Sequence, residues 1–276
     1  MRPDMPEVSV IMNCLNCAKF LREAIDSVYA QNYQDWEIIL WDNASTDNSA
    51  DIAKSYDSKL RYFRGEHTIP LGYARNMALE KANGTYVAFL DCDDLWLPEK
   101  LETQIELLKK NPEVALVFSN SYVIDMSGNI MKKSFDASKP ARGQAFNELF
   151  FGNNFIPLLT VVIRKKVLDK VGKFEPLYKM SEEYDLFLKI THSHLIDYVD
   201  LPLAKYRIHS ANFSNNLNIG IKEEIEILDK WLSSDPSLAR QFGNKIRLKK
   251  LKRKVILYNF YLVKYLHLPK KFAKFY

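Results

Sequence analysis

Four short apolar runs alternate with helical patterns at the start of this chain, and no other feature restricts its fold as much. The runs cover residues 8–12, 37–41, 60–63 and 86–90. Between them, Phe20, Leu21, Ile25 and Val28 share one face of a helical pattern over residues 18–30. A second helix follows the turn at residues 42–47, and a third spans residues 72–82 and ends at Asn83-Gly84. Strands and helices alternating across short links predict right-handed βαβ units and a mostly parallel sheet. Ligands of such sheets sit outside the carboxyl ends of the strands. Three polar clusters fall at such ends: residues 13–16, 42–47 and 91–94.

The last cluster is the sharpest. Tyr86-Val87-Ala88-Phe89-Leu90 empties into Asp91-Cys92-Asp93-Asp94, three carboxylates within four residues. Like charges so close repel one another and resist losing water, so a cation is the natural remedy. Oxygen-rich clusters suit Mg2+ or Mn2+, which keep waters and share their other positions with substrate phosphates. Asp also caps helices, so a solvated acidic turn is the plain alternative. Three facing clusters make a ligand site the better reading.

Farther along, a helix is predicted up to Lys110, a strand over residues 114–118, a turn at 125–128 and a further strand near residue 163. A helix with two acids at its start covers residues 181–190, and a last strand covers 199–208. No second core is visible, so the chain reads as one catalytic domain, residues 1–217, with a helical extension, residues 218–276.

Three cysteines in 276 residues do not make a disulfide framework, which predicts a reducing compartment. Cys14-Leu15-Asn16-Cys17 has the C-x-x-C spacing but straddles a strand end and a loop, so packing ranks above redox or zinc chemistry. The first residues are polar, and the strand after them is too short for a secretory leader. No run approaches the length of a membrane span. From Lys245 onward the chain carries eleven Lys or Arg and no Asp or Glu, which leaves 28 basic against 34 acidic residues before it. A basic tail on an acidic body predicts a polyanionic surface for the tail and no nucleic acid for the body.

Taken together, the clusters resemble the inverting glycosyltransferases of family 2, over roughly residues 7 to 215. The opening strand Val8-Ser9-Val10-Ile11-Met12 leads to Asn13 and Asn16, and the family's Asp-Asp/Asn-Gly-Ser-Thr-Asp turn stands as Asp42-Asn43-Ala44-Ser45-Thr46-Asp47. Its Ala-Arg-Asn helix is Ala74-Arg75-Asn76, and its Phe-Leu-Asp-Ala-Asp-Asp motif is Phe89-Leu90-Asp91-Cys92-Asp93-Asp94, with Pro98 and Leu101 following. Its Glu-Asp helix start is Glu182-Glu183, and its Arg-x-His is Arg207-Ile208-His209. The resemblance implies a GT-A fold: a Rossmann-like, mostly parallel sheet flanked by helices. It implies a nucleotide-sugar donor, most simply a UDP-sugar, and Mn2+ or Mg2+ bound by Asp93, with Asp94 supporting the loop or adding a metal contact through water. It gives Asp91 the ribose, Asp42, Asn43 and main chain near Asn13 the base, and Arg75 the diphosphate or ribose. His209 falls near the diphosphate or metal. Glu183 becomes the general base, one methylene longer than the family's usual Asp, with Glu182 as its neighbour in register. Trp96 reads as packing or acceptor floor.

The resulting expectation is a metal-dependent hexosyl- or N-acetylhexosaminyl-transferase acting on a hydroxyl of a surface glycan or lipid-linked acceptor. A processive synthase would carry Gln-x-x-Arg-Trp and membrane spans. Nucleotidyltransferases and dinucleotide oxidoreductases favour a glycine-rich loop after the first strand, and residues 13–19 contain no glycine. An aspartyl phosphatase would want threonine where Leu95 stands. A non-catalytic sugar-nucleotide or glycan-binding module is the remaining rival, favoured by the departures at Asn13, Ala44 and Glu183. In the tail, Leu251, Val255, Tyr258, Leu262 and Tyr265 share a helical stripe among Lys249, Lys252, Arg253 and Lys264. Such a helix suits an anionic membrane surface, or docking on its own domain or a second subunit. The expected location is cytoplasmic, peripheral on the inner face of the membrane.

Overall fold

The computed structural model describes residues 5–135, 139–210, 212 and 216–265, with side chains described up to residue 258. Strand β1 (Val8–Cys14) lies at the centre of the N-terminal half, parallel to β2 (Trp36–Asp42) on one side and β4 (Tyr86–Phe89) on the other. Strand β3 (Leu60–Arg64) adds in parallel outside β2. Helices α1 (Ala18–Tyr29), α2 (Ser49–Lys54) and α3 (Leu71–Leu79) make the crossovers. The expected parallel βαβ architecture therefore holds for this half.

Past β4 the sheet is mixed. It continues through the short β5 (Leu95–Trp96), helix α4 (Lys100–Lys110), the long β6 (Val114–Ile124), β7 (Ile130–Lys133), β8 (Val162–Arg164) and β9 (Leu195–Arg207). The strand order is β3-β2-β1-β4-β8-β6-β9-β5, with β7 paired to β6. Strand β8 runs antiparallel to both β4 and β6, and β9 runs parallel to β6. Two reversals restore the direction, so the carboxyl end of β9 lies on the same edge of the sheet as that of β4. Short strand β5 then pairs antiparallel with β9, Trp96 opposite Ala204. A chain segment more than a hundred positions distant thereby joins the acidic motif.

Alternation along the strands builds two cores, one on each face of the sheet. Val8, Val10, Met12, Ile38 and Leu40 pack with Leu21, Ile25 and Val28 of α1 and Leu101, Ile105 and Leu108 of α4. Ile11, Ile39, Val87 and Phe89 face α3 and helix α7 (Glu182–Ser193), which bury Ala74, Ala78, Leu186, Phe187 and Ile190. Gly84 makes the turn into β4 possible. A Cβ there would stand 2.5 Å from the Ser9 amide nitrogen, and that amide belongs to β1 itself.

Between β7 and α7 lie α5 (Phe146–Phe151) and α6 (Lys165–Val171). The C-terminal extension forms α8 (Leu217–Ser234) and α9 (Pro236–Tyr265). Ile227, Leu228, Leu238 and Ile246 belong to the same apolar cluster as α3 and α7, so the extension shares the catalytic core. Lys249, expected on the solvated face of the tail, is instead buried. It pairs with Glu224 at 2.9 Å and donates to the Phe150 carbonyl and the Tyr184 hydroxyl. Arg253 joins the same Glu224 at 2.7 Å. Leu251, Val255 and Tyr258 remain exposed, while the side chains of Leu262, Lys264 and Tyr265 lie outside the described residues. Among the described residues, no helix is long and apolar enough to cross a membrane.

Candidate active site

All the polar clusters open on the edge formed by the carboxyl ends of β1, β2, β4 and β9, beside the N-terminus of α7. The β2 end is a self-supporting cradle. Asp42 accepts the Ser45 N–H at 2.7 Å, the Tyr62 hydroxyl at 2.6 Å and Arg64 Nη1 at 3.0 Å. Its side chain is wholly shielded from solvent. The Asn43 amide pairs with the backbone of Ile69, donating to its carbonyl at 2.8 Å and accepting its N–H at 3.1 Å. Besides the base-reading role expected of them, the Asp42 and Asn43 side chains hold the cradle together. These contacts also explain Ala44, which replaces the family's glycine and yet adopts φ of 68°. The Asp42–Ser45 hydrogen bond that spans it, with Asn43 anchored just before it, holds a left-handed residue there, at about 1–2 kcal/mol for an L-amino acid. Asn13 differs from its neighbours. Its Nδ2 is buried and has no hydrogen-bond partner among the described residues, the kind of orphan donor that a bound ligand satisfies.

Arg75 is also placed differently from expectation. Its guanidinium is only 5% exposed, and it bridges Glu182 at 2.5 Å and Asp91 at 3.2 Å. It is therefore a positioning residue that ties α3, the acidic loop and α7 together. Burial alone would lower its pKa, but Asp91, Glu182 and Glu183 together raise it and keep it charged. Gly72 packs closely on the turn before α7 and on α7 itself: a Cβ there would lie 3.2 Å from the Glu175 carbonyl oxygen and 3.4 Å from Glu182 Cβ.

The same bridge separates the two candidate bases. Glu182 is buried and committed to Arg75. Glu183, one position on, is half-buried and among the described residues accepts only the Asn154 amide, at 3.3 Å. Desolvation pushes its pKa up to about 8; Arg75 opposes the shift, and Glu182 and Asp91 reinforce it. A carboxyl tuned in this way suits proton abstraction near neutral pH.

Asp93 faces His209, with Oδ2 and Nε2 2.9 Å apart, and the imidazole stacks on Phe20. Burial and the nearby Asp91 raise the Asp93 pKa, against the lowering by His209. Asp91 keeps 42% of its side chain exposed. Of the two roles implied for Asp94, the geometry fits support of the loop. Asp94 is buried beneath the loop, and its Oδ1 accepts the Arg207 N–H at 2.8 Å. Burial, with Asp93 and Asp91, pushes its pKa well up, so its place is to support the loop. Sequence reasoning missed the fastener itself. Arg207 donates to the Asp93 carbonyl at 2.8 Å, to the Met126 carbonyl at 3.1 Å and to Glu23 at 2.8 Å. The Arg-x-His motif contained this signal, but only its histidine was assigned a role.

Two further contacts complete the surroundings. Trp96 is a packing residue, buried with Nε1 donating to the Leu159 carbonyl at 2.8 Å. From the extension, Glu223 accepts the N–H groups of Lys179, Met180 and Ser181 at 2.7, 2.9 and 3.0 Å. A carboxylate on the turn that enters α7 sets where Glu182 and Glu183 begin.

The half-exposed carboxylate Asp93 with its histidine fits a hard divalent ion that takes few protein ligands and leaves positions for phosphate oxygens and water. Among the described residues, the one group of three potential metal-binding side chains with close-set ligand atoms lies just below, in Cys14, Cys17 and Cys92. There, the neighbouring Cys17 and Cys92 sulfurs draw the Cys14 pKa down, while Cys14 raises the other two.

Comparison with known proteins identifies the family and the fold. The chain is 30% identical over 230 residues to the UDP-Glc:alpha-D-GlcNAc-diphosphoundecaprenol beta-1,3-glucosyltransferase WfgD of Escherichia coli, covering 82% of this chain and 87% of that protein. In fold it is similar to S. aureus TarS 1-349 in complex with UDP-GlcNAc, with a TM-score of 0.67 and 17% identity, over 96% of this chain and 74% of that one. It is similar also to the mannosyltransferase PcManGT of Pyrobaculum calidifontis in complex with GDP-Man and Mn2+, with a TM-score of 0.64 and 17% identity, over 90% and 70% of the two chains. The fold is accordingly that of the GT-A glycosyltransferases. Residues 9–172 match the family described as Glycosyl transferase family 2, and this protein belongs to it.

Proposed function

We propose that this glycosyltransferase transfers one sugar from a UDP-sugar, with inversion and with Mg2+ or Mn2+, to a hydroxyl of a lipid-linked surface glycan. The observation that carries the catalytic part is the contrast between two adjacent glutamates. Glu182 is bonded to Arg75, while Glu183 has a raised pKa and an open side. In this reading Glu183 accepts the proton of the acceptor hydroxyl as its oxygen attacks the anomeric carbon. The bond from that carbon to the diphosphate oxygen breaks, and the nucleoside diphosphate departs. An α-linked donor then gives a β-linked product. A divalent ion held by Asp93 and His209 would supply charge neutralisation for the leaving diphosphate. Asp91, half exposed and steadied by Arg75, is suited to the ribose hydroxyls. The orphan Asn13 amide is suited to an acceptor atom of the base, above the cradle that Asp42 and Asn43 maintain.

The choice of UDP and of a lipid-linked acceptor leans on the E. coli relative, whose name specifies both. The exposed Leu251, Val255 and Tyr258 of the basic helix α9 would rest on the anionic membrane that carries such an acceptor. Co-flotation with vesicles containing anionic lipid tests this part, and loss of flotation in the double variant Leu251→Glu/Tyr258→Glu is expected. Turnover of UDP-, GDP-, CDP- and dTDP-sugars with and without Mn2+ tests the donor. Equal turnover by Glu183→Gln and the parent enzyme would remove Glu183 from its role. Donor binding without turnover of any donor sugar would favour the non-catalytic module.

A further inference from the structure

The sulfur cluster beneath the acidic loop is not used by the reaction above. Cys14 ends β1, Cys17 immediately precedes α1, and Cys92 lies between Asp91 and Asp93. The three Sγ atoms lie within 4.8 Å of one another, and all three thiols are free. We propose that Cys14, Cys17 and Cys92 form a three-thiolate site for a thiophilic d10 cation of the Zn2+ class, separate from the carboxylate site for the donor.

Geometry favours a cation over simple packing. In a tetrahedral site with Zn–S bonds of about 2.3 Å, the sulfurs stand about 3.8 Å apart. Side-chain rotations alone can close the remaining ångström or less, without moving β1 or α1. Soft thiolates select zinc-class ions over the hard Mg2+ and Mn2+ that the neighbouring carboxylates suit. The surroundings are those of a bound ion. Cys14 and Cys92 are buried against the apolar core shared with Leu21, Leu90 and Trp96. Cys17 is half exposed and provides the entry path. Three thiolates and a divalent ion carry one net negative charge. Two dipoles offset it: the Ser45 hydroxyl, 3.7 Å from Cys14 Sγ, and the N-terminus of α1, a helix of 12 residues. The Cys92 thiol now donates to the Asn13 carbonyl at 3.2 Å and that of Cys17 to the Leu15 carbonyl at 3.5 Å. Metal binding would release both of these protons and that of Cys14 to solvent. Three protein ligands leave a fourth position open to water or a small anion through the Cys17 side. An ion so held would clamp the loop carrying Asp91 and Asp93 to the end of β1.

Cd2+ titration of the reduced, metal-free full-length protein tests the site through the ultraviolet thiolate-to-cadmium charge-transfer band. Saturation at one equivalent per chain is expected, with competition by Zn2+. Cys17→Ser and Cys92→Ser should each lose the stoichiometric band, and Asp93→Asn should retain it. Should Cys92→Ser fail to fold, Cys17→Ser decides the matter, because that side chain is half exposed and outside the core. No band at stoichiometric Cd2+, or a band that survives in Cys17→Ser, would overturn the proposal. The readout does not depend on sugar transfer. Failure of the transferase reading would leave the band intact, and failure of the band would leave the transferase reading untouched.

Discussion

The two halves of the sheet treat their polar residues in opposite ways. At the end of β2, polar side chains close on one another over short distances along the chain. Asp42 bonds to Ser45, Tyr62 and Arg64, and Asn43 to Ile69. Where the C-terminal half meets the acidic loop, the partners are far apart in sequence. Arg75 and Glu182 are separated by 107 positions, Asp94 and Arg207 by 113, and Asp93 and His209 by 116. The polar side chains of the β2 cradle are spent on one another and on nearby backbone. The junction keeps open valences on Asn13, Asp91, Asp93 and Glu183, and those are the groups with capacity left for a substrate. In this fold a motif residue can be a scaffold, while the residue beside it keeps an open hydrogen-bonding side.

Substitutions that break this contrast should rank accordingly. Glu183→Gln should lower turnover about a hundred- to ten-thousand-fold, the usual worth of a positioned base, with donor affinity retained in calorimetry. Arg75→Met should destabilise the fold by about 3–5 kcal/mol, because it leaves Glu182 buried without its partner; urea unfolding measures this. Glu223→Gln should cost about 2 kcal/mol by weakening charged acceptance of three backbone N–H groups. It should also reduce kcat more than it changes KM for the donor, since it acts on the entry to α7. The pH profile sharpens the pair Glu182 and Glu183. With the Glu183 pKa raised to about 8, the base is protonated and idle at lower pH. Turnover should therefore rise with pH and level off above that value, and Glu183→Gln should lose this limb. The smallest effect belongs to the cradle. Ala44→Gly should stabilise by up to about 1 kcal/mol, because relief of left-handed strain exceeds the entropy of the added glycine.

The parallel half was legible because period-2 apolar runs, helical stripes and turn residues are local properties. Val8–Cys14, Ala18–Tyr29 and Trp36–Asp42 form where their patterns place them. The acidic loop was legible through the order of motifs, whereas the pairing of Asp93 with His209 came only with the structure. The mixed pairing beyond β4 was not legible, since β8 is only three residues long and its direction depends on neighbours at β4 and β6. The contacts of Asp42, Arg75 and Arg207 were out of reach for the same reason. Whether a charged side chain faces a ligand or a second side chain depends on what the other half of the chain brings to it.

The amino-acid order alone determined that this chain forms βαβ units, gathers carboxylates at a strand end and carries a family 2 glycosyltransferase signature. Only the tertiary structure decided which carboxylates remain open, that Glu182 belongs to Arg75 and Glu183 does not, and that a third cysteine meets the C-x-x-C pair. Propensity and hydrophobic period act between near neighbours along the chain. Burial, ion pairing and pKa depend on all the groups that converge in space, and here the decisive ones come from opposite ends of the sequence.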